Sequence, residues 1–429
     1  MFNTRGTTPF LLTMPTYGGT LAAARCLGEA GIPVTMAGDE VLAPARWSRY
    51  VTKWVTCPPV LDVEAFFDWL VAFGRSHPGH VLYPTCDDVA WLFADRAHVL
   101  SQYYELYQPP SDTILKLLDK KSLHALAKRA ELSTLPTAFP RDQAEAVQMA
   151  PEVGFPLLLK PRTQILLPTR SKGVFVDTAA DLPREFTDYL PKNPFYRPLV
   201  ARVPGIDVPM LQAFRPDAAE NIYSISGFIG PKVEQVCVRA AVKVLQRPRR
   251  LGVGLCFEEA PVDEGALVGL VRICREAGYF GVFEAEFVRT HGEHCLIDFN
   301  PRFYGQMGFE IARQLPLARL VWLGALGKSD ELAAELAEAA RFDSGKGYVY
   351  CNRLFFKILL SLQVLGGRMT HSEASRWREW LESSRRKSLA FDSIDSPHDH
   401  MPAMVSAVTE LYWAARHPRS FLRQMVIGP

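Results

Sequence analysis

The sequence predicts an α/β protein whose first part is a doubly wound parallel sheet. Residues 8–16 have the composition of a buried strand, and Gly18-Gly19 interrupts them before a helical stretch at 21–30. A second strand-like segment follows at 32–36. A strand, a helix and another strand in this order form the βαβ unit from which doubly wound sheets are built.

The rest of the chain divides into segments of different pattern. Residues 195–310 are mostly strand-like, with one helix near 264–277, and a mainly helical pattern begins at about residue 317. The prolines Pro109-Pro110 mark a domain boundary. We expect an N-terminal Rossmann-like domain (1–110), a central α+β subdomain (111–195), a second α+β subdomain (196–330) and a mainly helical C-terminal extension (331–429).

Composition excludes several classes of protein. With 429 residues, 48% hydrophobic and 22% charged, the chain is an ordinary globular protein with enough sequence for a sizeable core. Its 48 Lys and Arg balance 46 Asp and Glu, so no global field attracts nucleic acid and we expect no such partner. The cysteines are scattered singly and the N-terminus lacks the features of a signal peptide, which predicts a reduced, cytoplasmic location.

Two segments of alternating apolar and polar residues carry the strongest chemical signal. Phe283–Phe287 and Asp298–Arg302 flank a short glycine-containing turn at 290–293, the pattern of a β-hairpin. If the chain turns there, Glu286 lies almost opposite Asp298 across the ladder. The sequence therefore predicts that two carboxylates share one patch of the hairpin.

An amide joins these carboxylates, because Asn300 is two residues beyond Asp298 and points to the same side of the strand. Carboxylate and amide oxygens are ligands that Mg²⁺ accepts. The alternative is a solvated face of an exposed hairpin. For Glu284, which shares the face of Glu286, support of the metal ligands and simple solvation are equal alternatives.

Two lysines stand where anions bind in α/β proteins. Asp119-Lys120 opens a helix after a proline-rich linker, within a helical pattern that runs from Thr113 to about Glu131. Lys160 ends an apolar strand at 155–161. A lysine at the end of a buried strand is unfavourable unless an anion meets it, and a phosphate suits the carboxyl edge of a sheet. A snorkelling lysine is the equal alternative. No Walker A motif occurs, and the Gly18-Gly19 turn is a poor match to a dinucleotide fingerprint.

Together these residues resemble the ATP-grasp superfamily of carboxylate–amine ligases, over roughly residues 8–327. Within it, the chain is most similar to the D-aspartate-ligase-like and carbamoyl-phosphate-synthase-like branch. The matching positions are Lys120 and Lys160 (phosphate-binding lysines), Gln212 and Phe214 (hinge strand at the adenine), Glu220 (ribose), Lys243 (basic strand after the hinge), Glu286, Asp298 and Asn300 (metal ligands) and Arg302 (transferred phosphate). The family usually has Glu where this chain has Asp298, and a hinge acid is common where it has Gln212.

The resemblance implies a clamp of two α+β subdomains on ATP, with Mg²⁺ or Mn²⁺ as the metal. ATP would phosphorylate a carboxylate to an acyl phosphate, and an amine would then attack to give an amide, ADP and phosphate. Arg302, Lys160 and Lys243 would be the catalytic residues. The implied partners are a small-molecule carboxylate and amine, at least one of them amino-acid-like, and a second copy of the chain in a homodimer.

Two other functions fit the same residues. The first activates bicarbonate or carbamate, as carbamoyl-phosphate synthases do. The second is a nucleotide-binding module without catalysis, which would have no chemical need for both lysines and all the acids.

The remaining polar clusters receive structural interpretations. Asp87-Asp88 are expected to cap a helix and Ser48-Arg49-Tyr50 to lie on the surface. The alternative for both is a place in the substrate site, which the first domain helps to form in the enzymes that the chain resembles. His398-Asp399-His400 are expected to form a solvated turn. The segment Arg416–Arg423 mixes basic and apolar residues. That composition suits a helix lying on anionic lipid and a packed helical cap equally.

Overall fold

The computed structural model describes residues 7–169, 172–215, 222–232, 234–247, 253–290 and 292–422. Within them the strands form three sheets, and the first sheet in the chain is parallel. Its strands are β1 (Phe10–Leu12), β2 (Val34–Gly38), β3 (Val51–Thr56), β4 (His80–Leu82) and β5 (Tyr104–Leu106). They lie in the order β3-β2-β1-β4-β5, which confirms the doubly wound sheet.

Helices pack around this N-terminal sheet. They are α1 (Gly18–Glu29), α2 (Val63–Ser76), α3 (Asp87–Asp95) and α4 (Ala97–Leu100). The two glycines predicted to interrupt β1 in fact begin α1. A Cβ atom on Gly19 would lie only 2.4 Å from the carbonyl oxygen of Tyr304, so glycine lets the start of α1 pack directly against that backbone.

A small antiparallel sheet follows, with strands in the order β6-β9-β7-β8. They are β6 (Thr137–Ala138), β7 (Leu157–Lys160), β8 (Val174–Val176) and β9 (Met210–Ala213). The helices of this region are α5 (Ser111–Leu118), α6 (Lys120–Arg129), α7 (Gln143–Val153), α8 (Leu182–Lys192) and α9 (Arg197–Arg202).

The helical pattern over residues 113–131 divides into α5 and α6 at Asp119, which confirms that Asp119-Lys120 opens a helix. The Asp119 side chain accepts hydrogen bonds from the backbone N–H groups of Lys121 (3.2 Å) and Ser122 (3.3 Å). A carboxylate that caps the first turn satisfies donors that have no partner within the helix, so a new helix starts there.

The large sheet holds the predicted hairpin. Its strands are β10 (Ile222–Ile229), β11 (Val236–Arg247), β12 (Val253–Ala260), β13 (Gly281–Thr290), β14 (Glu293–Asn300), β15 (Val349–Cys351) and β16 (Ala390–Asp392). They lie in the order β14-β13-β10-β11-β12-β15-β16, antiparallel except for the last pair. The helix α10 (Glu264–Ala277) matches the prediction to the residue.

The C-terminal extension is mainly helical, as predicted, and it also supplies β15 and β16 to the large sheet. Its helices and those leading to it are α11 (Met307–Ala312), α12 (Leu317–Ala325), α13 (Ser329–Ala340), α14 (Arg353–Leu365), α15 (His371–Arg386), α16 (Met401–Arg416) and α17 (Pro418–Leu422). None of the helices in the described part of the chain is long and apolar enough to cross a membrane.

Two surface predictions are wrong at one residue each, because the extension folds back onto the N-terminal domain and buries Ser48 and Asp399. Asp399 is 3% exposed and receives hydrogen bonds from Arg25 Nε (2.9 Å), Ser48 Oγ (2.7 Å) and the backbone N–H of Arg49 (2.9 Å). The neighbouring residues Arg49, His398 and His400 are exposed, as predicted. The buried carboxylate is stabilised by a cation and by hydrogen bonds.

Candidate functional site

The hairpin forms as predicted and separates apolar from polar side chains. Phe283, Ala285 and Phe287 point into a core shared with the N-terminal domain. The intervening residues face the other way, where Glu286 pairs with Asp298 and Glu284 pairs with Asn300. The predicted register is thereby confirmed, and each of these two pairs forms one rung of the ladder.

Lysines hold the Glu286–Asp298 rung. Lys120 Nζ lies 2.6 Å from Asp298 Oδ1, and Lys243 Nζ lies 2.8 Å from Glu286 Oε1. Lys243 reaches Glu286 from β11, across the intervening strand β10. Both carboxylates therefore have a cation within hydrogen-bonding distance.

These lysines keep the rung ionised. Burial alone would raise the pKa of both carboxyl groups, but Lys120 outweighs it at Asp298, whose pKa falls to about 2. Burial likewise opposes ionisation of Glu286, and Lys243 lowers its pKa below the ordinary value. Burial disfavours the Lys243 cation too, but Glu286 raises the pKa of Lys243.

The cap of α6 explains how Lys120 reaches the rung. Asp119, which caps the helix, also binds the Arg162 guanidinium through both oxygens, at 2.9 and 2.7 Å. The backbone N–H of Lys120 donates to the Arg162 carbonyl at 2.9 Å. The start of α6 is thus fastened to the segment just after Lys160.

Lys160 has no carboxylate within hydrogen-bonding distance in the described structure. Its Nζ donates to Gln212 Oε1 at 3.1 Å, across the paired strands β7 and β9. Burial and the nearby Lys120 lower the pKa of Lys160 to about 8. A cation held by a neutral amide, in a region shared with Lys120, is placed to bind an anion.

A narrow cleft lies beside Lys120. Its walls include His124, Met210, Gln212 and Leu296. Phe214 continues β9 past this cleft, and its backbone N–H donates to the Pro156 carbonyl at 3.2 Å. The structure thus brings Gln212 close to both lysines, while Glu220, the predicted ribose ligand, lies outside the described residues.

The Glu284–Asn300 rung has the opposite electrostatic character. Glu284 is 4% exposed and accepts hydrogen bonds from Asn300 Nδ2 (3.0 Å) and from Gln306 Nε2. Burial, reinforced by the Glu286 carboxylate, raises the pKa of Glu284 well above its ordinary value. The solvated alternative for Glu284 is therefore wrong, and its raised pKa favours the neutral form of the carboxyl group that supports Asn300.

Arg302 joins this rung to the N-terminal domain. Its Nε donates to Asp87 Oδ1 at 2.6 Å and its Nη2 to Asn300 Oδ1 at 2.8 Å. Burial would lower the pKa of Arg302, but Asp87 raises it and keeps the guanidinium charged. The arginine is thus held from both sides beside the two rungs.

Asp87 contacts a candidate site residue, Arg302, which favours the substrate-site alternative over the expected helix cap. Helix α3 begins at Asp87 itself, and its N-cap residue, Cys86, makes no side-chain cap hydrogen bond. Asp88 instead accepts a hydrogen bond from the backbone N–H of Leu166 at 2.6 Å. The position of the two acids in the sequence was the signal for a functional role. Both follow β4 at the carboxyl edge of a parallel sheet, where ligands bind.

The donor set suits a hard cation. Glu286 and Asp298 provide ionised carboxylates and Asn300 an amide oxygen, and Mg²⁺ is usually bound by one or two carboxylates together with phosphate oxygens. Within the described ranges, no group of three or more His, Cys, Asp and Glu is placed to hold a metal by itself. The residues therefore fit a metal that shares its ligands with a phosphorylated substrate.

Comparison with known proteins finds structures with a similar fold and no similar sequence. No family model and no curated protein matches the sequence. The biotin carboxylase domain of Hydrogenobacter thermophilus 2-oxoglutarate carboxylase has 17% identity and a TM-score of 0.59 over 75% of this chain and 70% of that one. Thermus thermophilus N5-carboxyaminoimidazole ribonucleotide synthetase has 17% identity and a TM-score of 0.52, over 74% and 78%. Bacillus licheniformis L-amino acid ligase has 15% identity and a TM-score of 0.54, over 75% of this chain and 74% of that one.

The chain has the ATP-grasp fold. The identities are low, so this similarity establishes the ATP-grasp architecture and leaves the substrates and the branch of the superfamily to inference. The Hydrogenobacter domain was solved as a dimer with MgADP, ADP and bicarbonate. Within the ATP-grasp fold, the two rungs of the hairpin, the three lysines and Arg302 form one contiguous polar site.

Proposed function

We propose that this protein is an ATP-dependent ligase that activates a carboxylate as an acyl phosphate and joins it to an amine. The observation that supports this most directly is the ionised Glu286–Asp298 rung, with Lys120 and Lys243 hydrogen-bonded to it, in a protein with the ATP-grasp fold. Transfer of a phosphoryl group depends mainly on positioning and on neutralising charge. The site contains groups of the right kind for both.

We assign residues to the adenine, the phosphates and the ribose of the bound nucleotide. The adenine would lie in the cleft along β9, against Gln212 and the backbone at Phe214. Lys120 and Lys160 would bind phosphate oxygens, and Glu220 would bind the ribose. Lys160 is the group best prepared for this, because a phosphate replaces a neutral amide as the partner of a buried cation.

The metal and the remaining cations act at the transferred group. Glu286, Asp298 and Asn300 would hold Mg²⁺, or Mn²⁺, which neutralises charge on the nucleotide phosphates. When Lys243 and Lys120 turn from the carboxylates to phosphate oxygens, they keep the local charge balanced. Arg302, held by Asp87 and Asn300, would bind the acyl phosphate and its transition state.

Binding of nucleotide is the first test. Calorimetry should show Mg²⁺-dependent binding of ATP to the native chain, and the Glu286→Ala/Asn300→Ala variant should lose it. Glu105→Ala, which removes an exposed carboxylate on β5, is the matched control and should bind as the native chain does. A folded native chain that binds no ATP in the presence of Mg²⁺ would refute the ligase proposal.

Turnover separates the candidate substrates. Release of ADP that requires both a small-molecule carboxylate and an amine supports the ligase. A second candidate is activation of bicarbonate, favoured by the similarity to a carboxylase domain solved with bicarbonate. Release of ADP that requires bicarbonate, with no organic carboxylate present, would select this candidate instead.

Two predicted partners stay predictions. A homodimer is supported by the dimeric Hydrogenobacter domain, and sedimentation of the native chain would test it. Contact of the C-terminal tail with anionic lipid rests on exposed basic residues such as Arg416 and Arg419. Vesicle binding that high salt abolishes is the expected result.

A further inference from the structure

Helix α3 begins with two adjacent acids that contact different parts of the candidate site. Asp87 Oδ1 lies 2.6 Å from Arg302 Nε, and Asp88 Oδ1 accepts the backbone N–H of Leu166 at 2.6 Å. Successive residues on a helix point about 100° apart, so neighbouring acids can reach in different directions. One short element of the N-terminal domain thus contacts both subdomains that would enclose the nucleotide.

The segment that Asp88 holds is the loop between β7 and β8, which begins just after Lys160. Gly173, at the far end of this loop, returns beside the lysine, since a Cβ atom there would lie 2.9 Å from Lys160 Cγ. The loop therefore starts and ends next to one of the proposed phosphate ligands. Its shape bears directly on how phosphate would be bound.

The described start of this loop is buried and conformationally constrained. Ile165 and Leu166 are 0% and 3% exposed and belong to the same core as the apolar residues of α3. Leu166 has a φ angle of +50°, in the left-handed region that leucine rarely adopts. Such a conformation persists only when its surroundings impose it, and the Asp88 hydrogen bond is one such constraint.

The burial of Asp88 also indicates that this acid constrains the loop at Leu166. Asp88 is 0% exposed. A carboxylate buried to this extent is unfavourable unless hydrogen bonds satisfy its oxygens. The position of Asp88 in the first turn of α3 is favourable for a negative charge, but that position does not require burial. The backbone contact with Leu166 gives the buried acid a specific partner.

We propose that Asp87 and Asp88 are positioning residues with separate tasks: Asp88 presets the loop at Leu166 for nucleotide phosphates, and Asp87 aims Arg302 at the terminal phosphate. This rests on the proposed function, because it takes the ligand to be a nucleoside triphosphate. The described part of the loop at Leu166 is held by the N-terminal domain before nucleotide arrives. The two acids then affect different parts of the same ligand.

Two nucleotides distinguish the tasks. Affinities for MgADP and for Mg²⁺ with the non-hydrolysable triphosphate AMP-PNP are measured by calorimetry on the native chain, Asp87→Asn and Asp88→Asn. Asp88→Asn should weaken both nucleotides equally, by about tenfold, as expected for loss of a charge-assisted hydrogen bond. Asp87→Asn should weaken AMP-PNP by a similar factor and leave MgADP unchanged. Asp62→Asn, at an exposed acid before α2, is the control and should change neither.

Hydrogen exchange provides a second test, first on the native chain and then on the two variants. The amides of residues 163–169 should be protected without nucleotide, because the proposal makes the loop ordered beforehand. In Asp88→Asn their exchange should rise, and in Asp87→Asn it should not. A loop that exchanges freely in the native chain and becomes protected only with nucleotide would overturn the role of Asp88.

The outcomes separate this inference from the proposed function. If the native chain binds both nucleotides and the two variants change them by the same ratio, the division of tasks is wrong while the ligase proposal stands. If the folded native chain binds neither nucleotide, the proposed function fails and this inference fails with it.

Discussion

The two rungs of the hairpin carry similar residues in opposite electrical states. Glu286 and Asp298 are ionised, with lysines at 2.8 and 2.6 Å. Glu284, two residues from Glu286 on the same strand and face, pairs with Asn300 and has a strongly raised pKa. The distance along the strand is small, so the difference comes from the partners and from burial.

This contrast shows how one hairpin can supply both ionised carboxylates and a group that positions its neighbouring side chains. The ionised rung is able to bind a cation and the neutral rung holds Asn300 and, through it, Arg302. If both glutamates were ionised side by side, their repulsion would weaken the site. Three predictions test the contrast, beginning with the largest expected effect.

Removing the cation of the ionised rung should destabilise the protein most. Lys243→Met leaves Glu286 mostly buried without its partner, and loss of one member of a buried ion pair costs about 3 kcal/mol in the free energy of unfolding. Urea unfolding at pH 7 measures this change. The double variant Lys243→Met/Glu286→Met removes both charges and should regain most of the loss. A Lys243→Met protein as stable as the native chain would show that the pair is not needed to hold Glu286 ionised.

The neutral rung should tolerate loss of its acid. Glu284→Gln keeps the shape and the neutral state, so we expect the unfolding free energy at pH 5 to change by about 1 kcal/mol or less. The folded pKa of Glu284 is raised, so its contribution to stability is complete below its unfolded pKa near 4.5 and decreases as pH rises toward the folded value. Glu284→Gln should therefore lose less stability than the native chain between pH 5 and pH 8.

Glu286→Gln is the matched comparison for that experiment. The pKa of Glu286 is lowered, so the stability it contributes is present above its unfolded pKa and is lost as pH falls. The difference in unfolding free energy between each variant and the native chain should thus change with pH in opposite directions for the two variants. Parallel curves would mean that the two glutamates share one electrostatic environment.

The smallest expected effect concerns Lys160, which has an amide as its partner. With a pKa of about 8, it is about half protonated at pH 8, and a nearby phosphate should raise this pKa. Binding of MgATP at pH 8 should then take up as much as about half a proton, seen as a binding heat that varies with the ionisation enthalpy of the buffer. Lys160→Met should remove this dependence, and a native binding heat independent of buffer would contradict the assignment.

The hairpin and its register followed from local pattern. Alternation over Phe283–Phe287 and a short turn suffice to place Glu286 opposite Asp298, because the two strands are joined directly. The partners of these acids did not follow, since Lys243 is 43 residues away from Glu286 and reaches it over another strand. The resemblance to ATP-grasp enzymes placed these residues in one site without stating their contacts.

Long-range contacts account for the errors. Arg302 and Asp87 are 215 residues apart, and Asp399 receives its hydrogen bonds from residues about 350 positions away or more. Locally, each of these acids looks like a helix cap or a solvated turn. Only the approach of separate domains turns them into buried partners of arginine and serine.

By itself, the sequence determined the classes of structure and the kinds of chemical group: a parallel sheet at the start, a hairpin of alternating acids, and a lysine at the end of an apolar strand. These depend on neighbours along the chain, whose periodicity sets which face each side chain occupies. The tertiary structure decided which acids are charged and which groups they hold. Protonation and pairing depend on burial and on nearby charges, and both are created when distant segments meet.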